Sequence, residues 1–289
     1  MKEGSASHTA RVVAAHRLTY DRVAAGYGDP AADEALSRDV ADGLTPGSTR
    51  IREYLRVRTA FFDRMVVNAV DRGVTQVVTG GAGYDGRAFR YARPGVRWFE
   101  VDHPATQVDK RARLARLGLD ASPIAFIPAD FTADPVAGPL RDAGLDPARP
   151  ALFLFEGVAV YLDRPVIERV LAEFREATTA GSILVSSVST STSTPASRAR
   201  FQARVAALGE PARTVLTVAD AAGLLAAAGW EVREASDGQR SAGLLLAEAA
   251  TAVPSPERGR GALTRPLSRR SVQSPASGDP GTGTVSPAS

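Results

Sequence analysis

Cysteine is absent from this 289-residue chain, and histidine (His8, His16, His103) and lysine (Lys2, Lys110) are scarce. Without cysteine there can be no disulfide, thiolate nucleophile or sulfur-ligated metal, and three histidines leave little for a zinc site. A metal-free chemistry is therefore expected. The sequence also lacks any run approaching eighteen apolar residues, and its first twenty residues scatter Lys2, Glu3, His8, Arg11 and Arg17 where a signal peptide would need an apolar stretch. No membrane partner and a cytoplasmic location are the expectations. Nucleic acid is not expected either. The formal net charge of +3 is matched by residues 251–289 alone, where Arg258, Arg260, Arg265, Arg269 and Arg270 outnumber Glu257 and Asp279.

What is present is a 44% hydrophobic composition, enough for one substantial core. Residues 8–26 and 31–42 read as helices joined by the turn Gly26-Tyr27-Gly28-Asp29-Pro30, so 1–48 is expected to form an N-terminal helical extension. From Arg50 to Asp71 apolar residues recur at helical spacing, ended by Gly73. Five short apolar runs follow, at 74–79, 96–101, 124–128, 151–155 and 182–188, and helical stretches near 104–117, 135–143 and 165–179 separate most of them. That alternation predicts a doubly wound α/β sheet, mostly parallel and seven-stranded. Two further strands, near 230–233 and 243–249, lie too close together for a crossover helix and should close the sheet as an antiparallel hairpin. A helix is expected through Leu208 and another over 218–228. The domain should span 49–250, with 251–289, rich in Pro, Ser, Gly and Arg, as a disordered tail.

Chemistry-bearing residues collect at the carboxyl ends of the predicted strands. After the first comes Thr79-Gly80-Gly81-Ala82-Gly83-Tyr84-Asp85-Gly86-Arg87, where glycines let the backbone approach a ligand and present N–H groups at a helix start. Gly81-x-Gly83-x-x-Gly86 satisfies the dinucleotide fingerprint, so the glycines alone do not separate a nicotinamide cofactor from S-adenosylmethionine; a tight turn would also use them. The second strand ends in Glu100-Val101-Asp102-His103-Pro104, about twenty residues on. An acidic residue there accepts hydrogen bonds from a ribose diol in either case, and period-two alternation points Glu100 and Asp102 the same way. Solvated strand-end carboxylates are the plainer alternative, and His103 reads as a turn residue rather than a base. Asp130-Phe131 at the third strand could grip an adenine amine and ring, or Asp130 could simply cap a turn. At the fourth, Glu156 emerges from an almost wholly apolar run, where an unpartnered charge is costly.

Taken together these motifs resemble the leucine carboxyl methyltransferase-like family, in particular its bacterial branch of small-molecule methyltransferases, over roughly residues 8–250. Arg58-Thr59-Ala60-Phe61-Phe62-Asp63 is similar to the family's helix motif, whose arginine binds the carboxylate of the cofactor's methionine. Gly81-Ala82-Gly83 with Asp85 and Arg87 resembles its glycine motif, with Gly80, Tyr84 and Gly86 replacing the usual Leu, Leu and Thr. Glu100-Val101-Asp102-His103-Pro104, with Lys110 beyond it, resembles the ribose motif. Asp130-Phe131 stands where adenine is held, and Glu156-Gly157-Val158 with Tyr161-Leu162 resembles the fourth-strand motif. The family's N-terminal basic residue has two candidates, Arg17 and Arg22.

The resemblance implies an S-adenosylmethionine cofactor contacted by Arg58, Gly81, Gly83, Asp85, Glu100, Asp102, Asp130, Phe131 and Glu156, and O-methylation of a carboxylate on a small metabolite, such as a polyketide or another secondary product. A carboxylate is already ionised near neutral pH, so positioning rather than a base is needed; Glu156 and Tyr161 are the catalytic candidates. The alternatives are a phenolic O-methyltransferase on the same fold, an NAD(P)-dependent oxidoreductase, for which no Tyr-x-x-x-Lys pair exists, and a cofactor-binding protein without catalysis.

Overall fold

In the computed structural model the described residues are 7–44, 49–188, 212–236 and 244–249. The chain divides into units Met1–Pro254 and Ser255–Ser289, and every described residue belongs to the first. The expected tail at 251–289 and the helix expected through Leu208 lie outside the described residues.

Three helices precede the sheet: α1 (His8–Arg17), α2 (Pro30–Ala41) and α3 (Thr49–Asp71). Then come β1 (Gln76–Gly80), the one-turn α4 (Arg87–Arg90), β2 (Arg97–Asp102), α5 (Pro104–Arg116), β3 (Ile124–Pro128), α6 (Ala137–Asp142) and β4 (Leu152–Phe155). A 3-10 turn (Ala159–Tyr161) leads to α7 (Arg164–Glu176) and β5 (Ile183–Ser187); after 212 follow α8 (Val218–Ala227), β6 (Trp230–Ser236) and β7 (Leu244–Ala249). The seven strands run in the order β3-β2-β1-β4-β5-β7-β6, parallel through β5, with β7 antiparallel to both neighbours. This is the expected doubly wound sheet closed by a hairpin.

Period-two alternation assigns the two faces. In β4 the side chains of Phe153 and Phe155 enter the cluster that holds Phe99, Phe174 and Trp230, while Leu152 and Leu154 enter the cluster that holds Leu36, Phe62 and Val66 of α2 and α3. All four are at most 1% exposed, which is why the strand reads as an uninterrupted apolar run rather than an alternating one. The N-terminal helices are thus part of one core face.

One expectation needs correction. The helix expected over 8–26 ends at Arg17, and the chain from Leu18 to Asp29 is irregular. Thr19 turns back on His16, whose carbonyl accepts both the Thr19 N–H (2.9 Å) and its hydroxyl (2.8 Å), a side-chain competition that ends helices. Leaving the helix carries Arg22 to Asp63 of α3 and Asp33 of α2. Among the described residues no helix is long and apolar enough to cross a membrane.

Candidate functional site

Strand order reverses between β1 and β4: β2 and β3 lie on one side of β1, β4 and β5 on the other. Open α/β sheets form their binding crevice at such a reversal, outside the carboxyl ends of the strands. A cleft of about 720 Å³ lies at this position.

Its floor is the turn after β1. Gly81 (φ +68°) and Gly83 (φ +51°) adopt left-handed conformations that L side chains rarely take. A Cβ at Gly81 would stand 2.2 Å from Val158 Cγ2, and one at Gly83 2.9 Å from Ala10 Cβ of α1. The Gly81 N–H extends the ladder to the Val101 carbonyl at 2.7 Å, and the Gly83 N–H donates to Asp102 Oδ2. Asp102 Oδ1 accepts from the His103 N–H at 2.6 Å. Burial pushes the Asp102 carboxyl up, opposed by these two N–H groups. His103 caps α5, its Nδ1 accepting from Ala105 N–H at 3.2 Å, as a turn residue should.

The two acids of β2 do not share a surface. Asp102 lines the cleft, whereas Glu100 is buried beside it, its Oε2 accepting from Lys110 Nζ at 2.6 Å. Glu100, expected to contact the cofactor, does not line the cleft: the last residue of the strand does, while Glu100, two residues back, is held by Lys110 of α5. Lys110 also donates to the Asp85 carbonyl at 2.7 Å, tying α5 to the glycine turn. Burial pushes the Glu100 carboxyl up to about 7 despite the pull of Lys110.

A buried ionic network forms the wall opposite. Glu156 accepts from Arg58 Nε through Oε1 (2.9 Å) and from Arg87 through Oε2 (2.6 Å), with Arg17 3.5 Å from Oε2. Arg87 continues to Asp85 Oδ2 (2.5 Å) and Asp63 Oδ1 (2.7 Å), and Arg17 reaches Asp85 at 3.3 Å. Burial alone would raise Glu156, but Arg87, Arg58 and Arg17 outweigh it and hold the carboxyl at about 2. The same competition, won by Arg87 and Arg22, holds Asp63 at about 2, and Asp85 lies well below the usual carboxylate range. An acid so placed stays ionised and is a poor proton acceptor.

Of the two N-terminal arginines, Arg17 lines the cleft while Arg22 is sequestered on Asp63 (2.6 Å) and Asp33 (3.2 Å). Periodicity offered no way to choose between them, since the choice depends on where α1 stops. Asp130 and Phe131 also line the cleft. Asp130 Oδ1 accepts from the N–H and hydroxyl of Thr132, both at 2.8 Å, so it is a turn aspartate as well as a cleft residue. Phe131 is set edge-on against Phe155, with ring centroids 6.1 Å apart. Tyr161 completes this side. Three wall residues that sequence reading did not single out are Ala10 and Val13, from α1, and Arg213, which follows a stretch of chain outside the described residues.

This architecture defines an open α/β protein with a cleft at its switch point, lined by a glycine turn and by arginines. The chain belongs to the leucine carboxyl methyltransferase family, whose model matches residues 4–175. A Mycolicibacterium paratuberculosis protein named as a candidate S-adenosyl-L-methionine-dependent methyltransferase is 34% identical over 205 residues, covering 71% of this chain and 65% of that protein. A similarly named Parafrankia protein is 42% identical over 134 residues, 45% of this chain and 43% of its own. The chain thus spans less than two thirds of the length of these relatives. Among solved structures, a candidate methyltransferase from Thermobifida fusca superposes with a TM-score of 0.58 at 20% identity, covering 87% of this chain and 97% of that one. A Streptomyces avermitilis protein of the duf574 family gives 0.57 at 19%, covering 86% and 98%. At such identities the likeness is one of fold.

Proposed function

We propose that this protein is an S-adenosylmethionine-dependent methyltransferase that O-methylates a carboxylate of a small metabolite, with a secondary product such as a polyketide as the acceptor class. The observation that carries the cofactor reading is the pairing of the left-handed Gly81–Gly83 turn with Asp102 in the switch-point cleft. The left-handed φ and the nearness of Val158 keep position 81 a glycine, so the turn offers bare backbone along the cleft. Membership of the family and the names of its relatives support the same reading.

In this reading Asp102 accepts from the ribose diol, Asp130 and Phe131 hold the adenine, and Arg58 and Arg17 meet the methionine carboxylate. Glu156 and Asp85 orient those arginines rather than move protons. When bound, the cofactor supplies an electrophilic methyl on a sulfonium. The chain's own task is then to desolvate the acceptor oxygen and align it at about 3–3.5 Å. An ionised carboxylate needs no base, in keeping with a cleft where Asp85 and Glu156 are paired with arginines, Asp102 and Asp130 accept from N–H and hydroxyl groups of their own turns, and His103 caps a helix. Tyr161 is placed to position the acceptor.

Two measurements test the proposal. Calorimetric titration should show S-adenosylhomocysteine binding and no NAD(P)H binding; the reverse would favour an oxidoreductase. A product carrying a radioactive methyl group should release volatile methanol in mild alkali. A label that survives would mark an aryl ether or carbon methyl and overturn the carboxylate assignment.

A further inference from the structure

We infer that Arg213 is a specificity residue that holds the acceptor's carboxylate at the cleft mouth. The inference rests on the carboxyl-methylation reading above and names the group that would select for it. The guanidinium groups lining the cleft, among the described residues, come from Arg17, Arg58 and Arg213. The first two are buried and engaged by Glu156 and Asp85. Arg213 differs in place and in partner. Its side chain is half exposed, and its one described ion pair, NH1 to Asp163 Oδ2 at 2.8 Å, is equally exposed at 50% and 57%.

The backbone around Arg213 is nevertheless fixed. The N–H groups of Arg213 (2.8 Å) and Thr214 (3.3 Å) both donate to the Val160 carbonyl, and the Thr214 hydroxyl donates to that of Leu162 at 2.6 Å. The residue is thus fastened to the 3-10 turn that carries Tyr161. Tyr161, Leu162 and Arg213 make a stretch of cleft wall distinct from the Gly81, Gly83, Asp102, Asp130 and Arg58 positions given to the cofactor. With Ala10 and Val13 of α1, it belongs to the wall that those cofactor positions leave for the acceptor.

An exposed ion pair is held weakly, because solvent screens it and two long side chains must be ordered to make it. Exchanging Asp163 for an incoming carboxylate therefore costs little, and the planar guanidinium fork matches a carboxylate in bidentate fashion. Asp163 acts as a resting partner that keeps the fork oriented and is displaced by the acceptor. An alcohol or a phenol would leave that pair intact and gain nothing from it.

The experiment uses the full chain, labelled S-adenosylmethionine and a panel of aryl and medium-chain alkyl carboxylic acids, each beside its primary alcohol. With an acid that is turned over, Arg213→Ala should raise KM roughly ten-fold or more while kcat changes little and the Kd for S-adenosylhomocysteine stays put. Arg213→Lys should recover part of the loss. Wild-type ester formation with a KM indifferent to Arg213→Ala overturns the assignment of Arg213 alone. A raised S-adenosylhomocysteine Kd in that variant also overturns it, by placing the residue on the cofactor side. An alkali-stable product, or no ester from any acid, overturns the carboxylate reading and Arg213's role with it.

Discussion

Arg58 Nε donates to Glu156 Oε1 at 2.9 Å, joining the helix before the sheet to the end of its fourth strand across 98 positions of sequence. The contact closes a network in which arginines from α1, α3 and α4 share two acids, Asp85 and Glu156. Removing a single charge from such a network leaves its partners buried and uncompensated, and that cost is the basis of the first prediction.

Glu156→Gln keeps the side chain's shape and deletes its charge. Arg58, Arg87 and Arg17 then lose their shared negative charge and one of its two accepting oxygens, which should destabilise the fold by about 3 kcal/mol. The same variant should weaken S-adenosylhomocysteine binding, because Arg58 is no longer oriented. A general base would behave differently, losing kcat at unchanged melting temperature and affinity. Thermal melts and calorimetric titration on one preparation decide between the two.

Acid should act through the same groups. Glu156 and Asp63 are held at about 2 in the fold, below their ordinary values of 4.5 and 3.8. A depressed folded value means that the contribution is fully present above the unfolded value and is lost as pH falls through the window toward 2. For Glu156 it is on the order of 3 kcal/mol. Urea denaturation at pH 5 and pH 3 should show a steep loss in the wild type and a shallower one in Glu156→Gln. Equal slopes would mean that Glu156 is not paired in solution.

Asp102→Ala should weaken S-adenosylhomocysteine binding by about ten- to a hundred-fold, since two ribose hydroxyls lose a charged acceptor. The variant also frees the Gly83 and His103 N–H groups that Asp102 accepts from. Asp102→Asn separates the two effects, keeping a hydrogen-bonding side chain without the charge. Unchanged affinity in both variants would remove the nucleoside site from this end of β2.

Gly81→Ala meets two obstacles, a left-handed backbone worth about 1–2 kcal/mol to an L residue and a Cβ 2.2 Å from Val158 Cγ2. The single variant should be less stable and should bind S-adenosylhomocysteine poorly. Adding Val158→Ala relieves the clash but not the backbone cost, so the double variant should recover stability in part. Full recovery would show that φ at Gly81 is not constrained.

Much of the fold was legible because its signals are local. Apolar runs bounded by Gly or Pro located the strands, and the short spacing before Leu244–Ala249 foretold the antiparallel hairpin. The helix expected over 8–26 failed because its end is set by Thr19 bonding back to His16 and by the pairing of Arg22 with Asp63, an interaction 41 positions away.

The sequence by itself determined where chemistry could sit: glycines after β1, acids ending β2 and β3, and Glu156 after β4 all follow from strand ends, and strand ends follow from hydrophobic period. Which of those side chains reach the cleft was decided only by tertiary structure. Glu100 and Asp102 share a strand parity, yet α5 covers one with Lys110 and leaves the other at the rim. Arg17 and Arg22 are five residues apart on what reads as one helix, yet only Arg17 lines the cleft. Arg213 carries no local motif at all and reaches the wall through backbone bonds to Val160. A charged side chain's role depends on which opposite charges and how much water surround it, and those neighbours come from distant parts of the chain that only the folded sheet brings together.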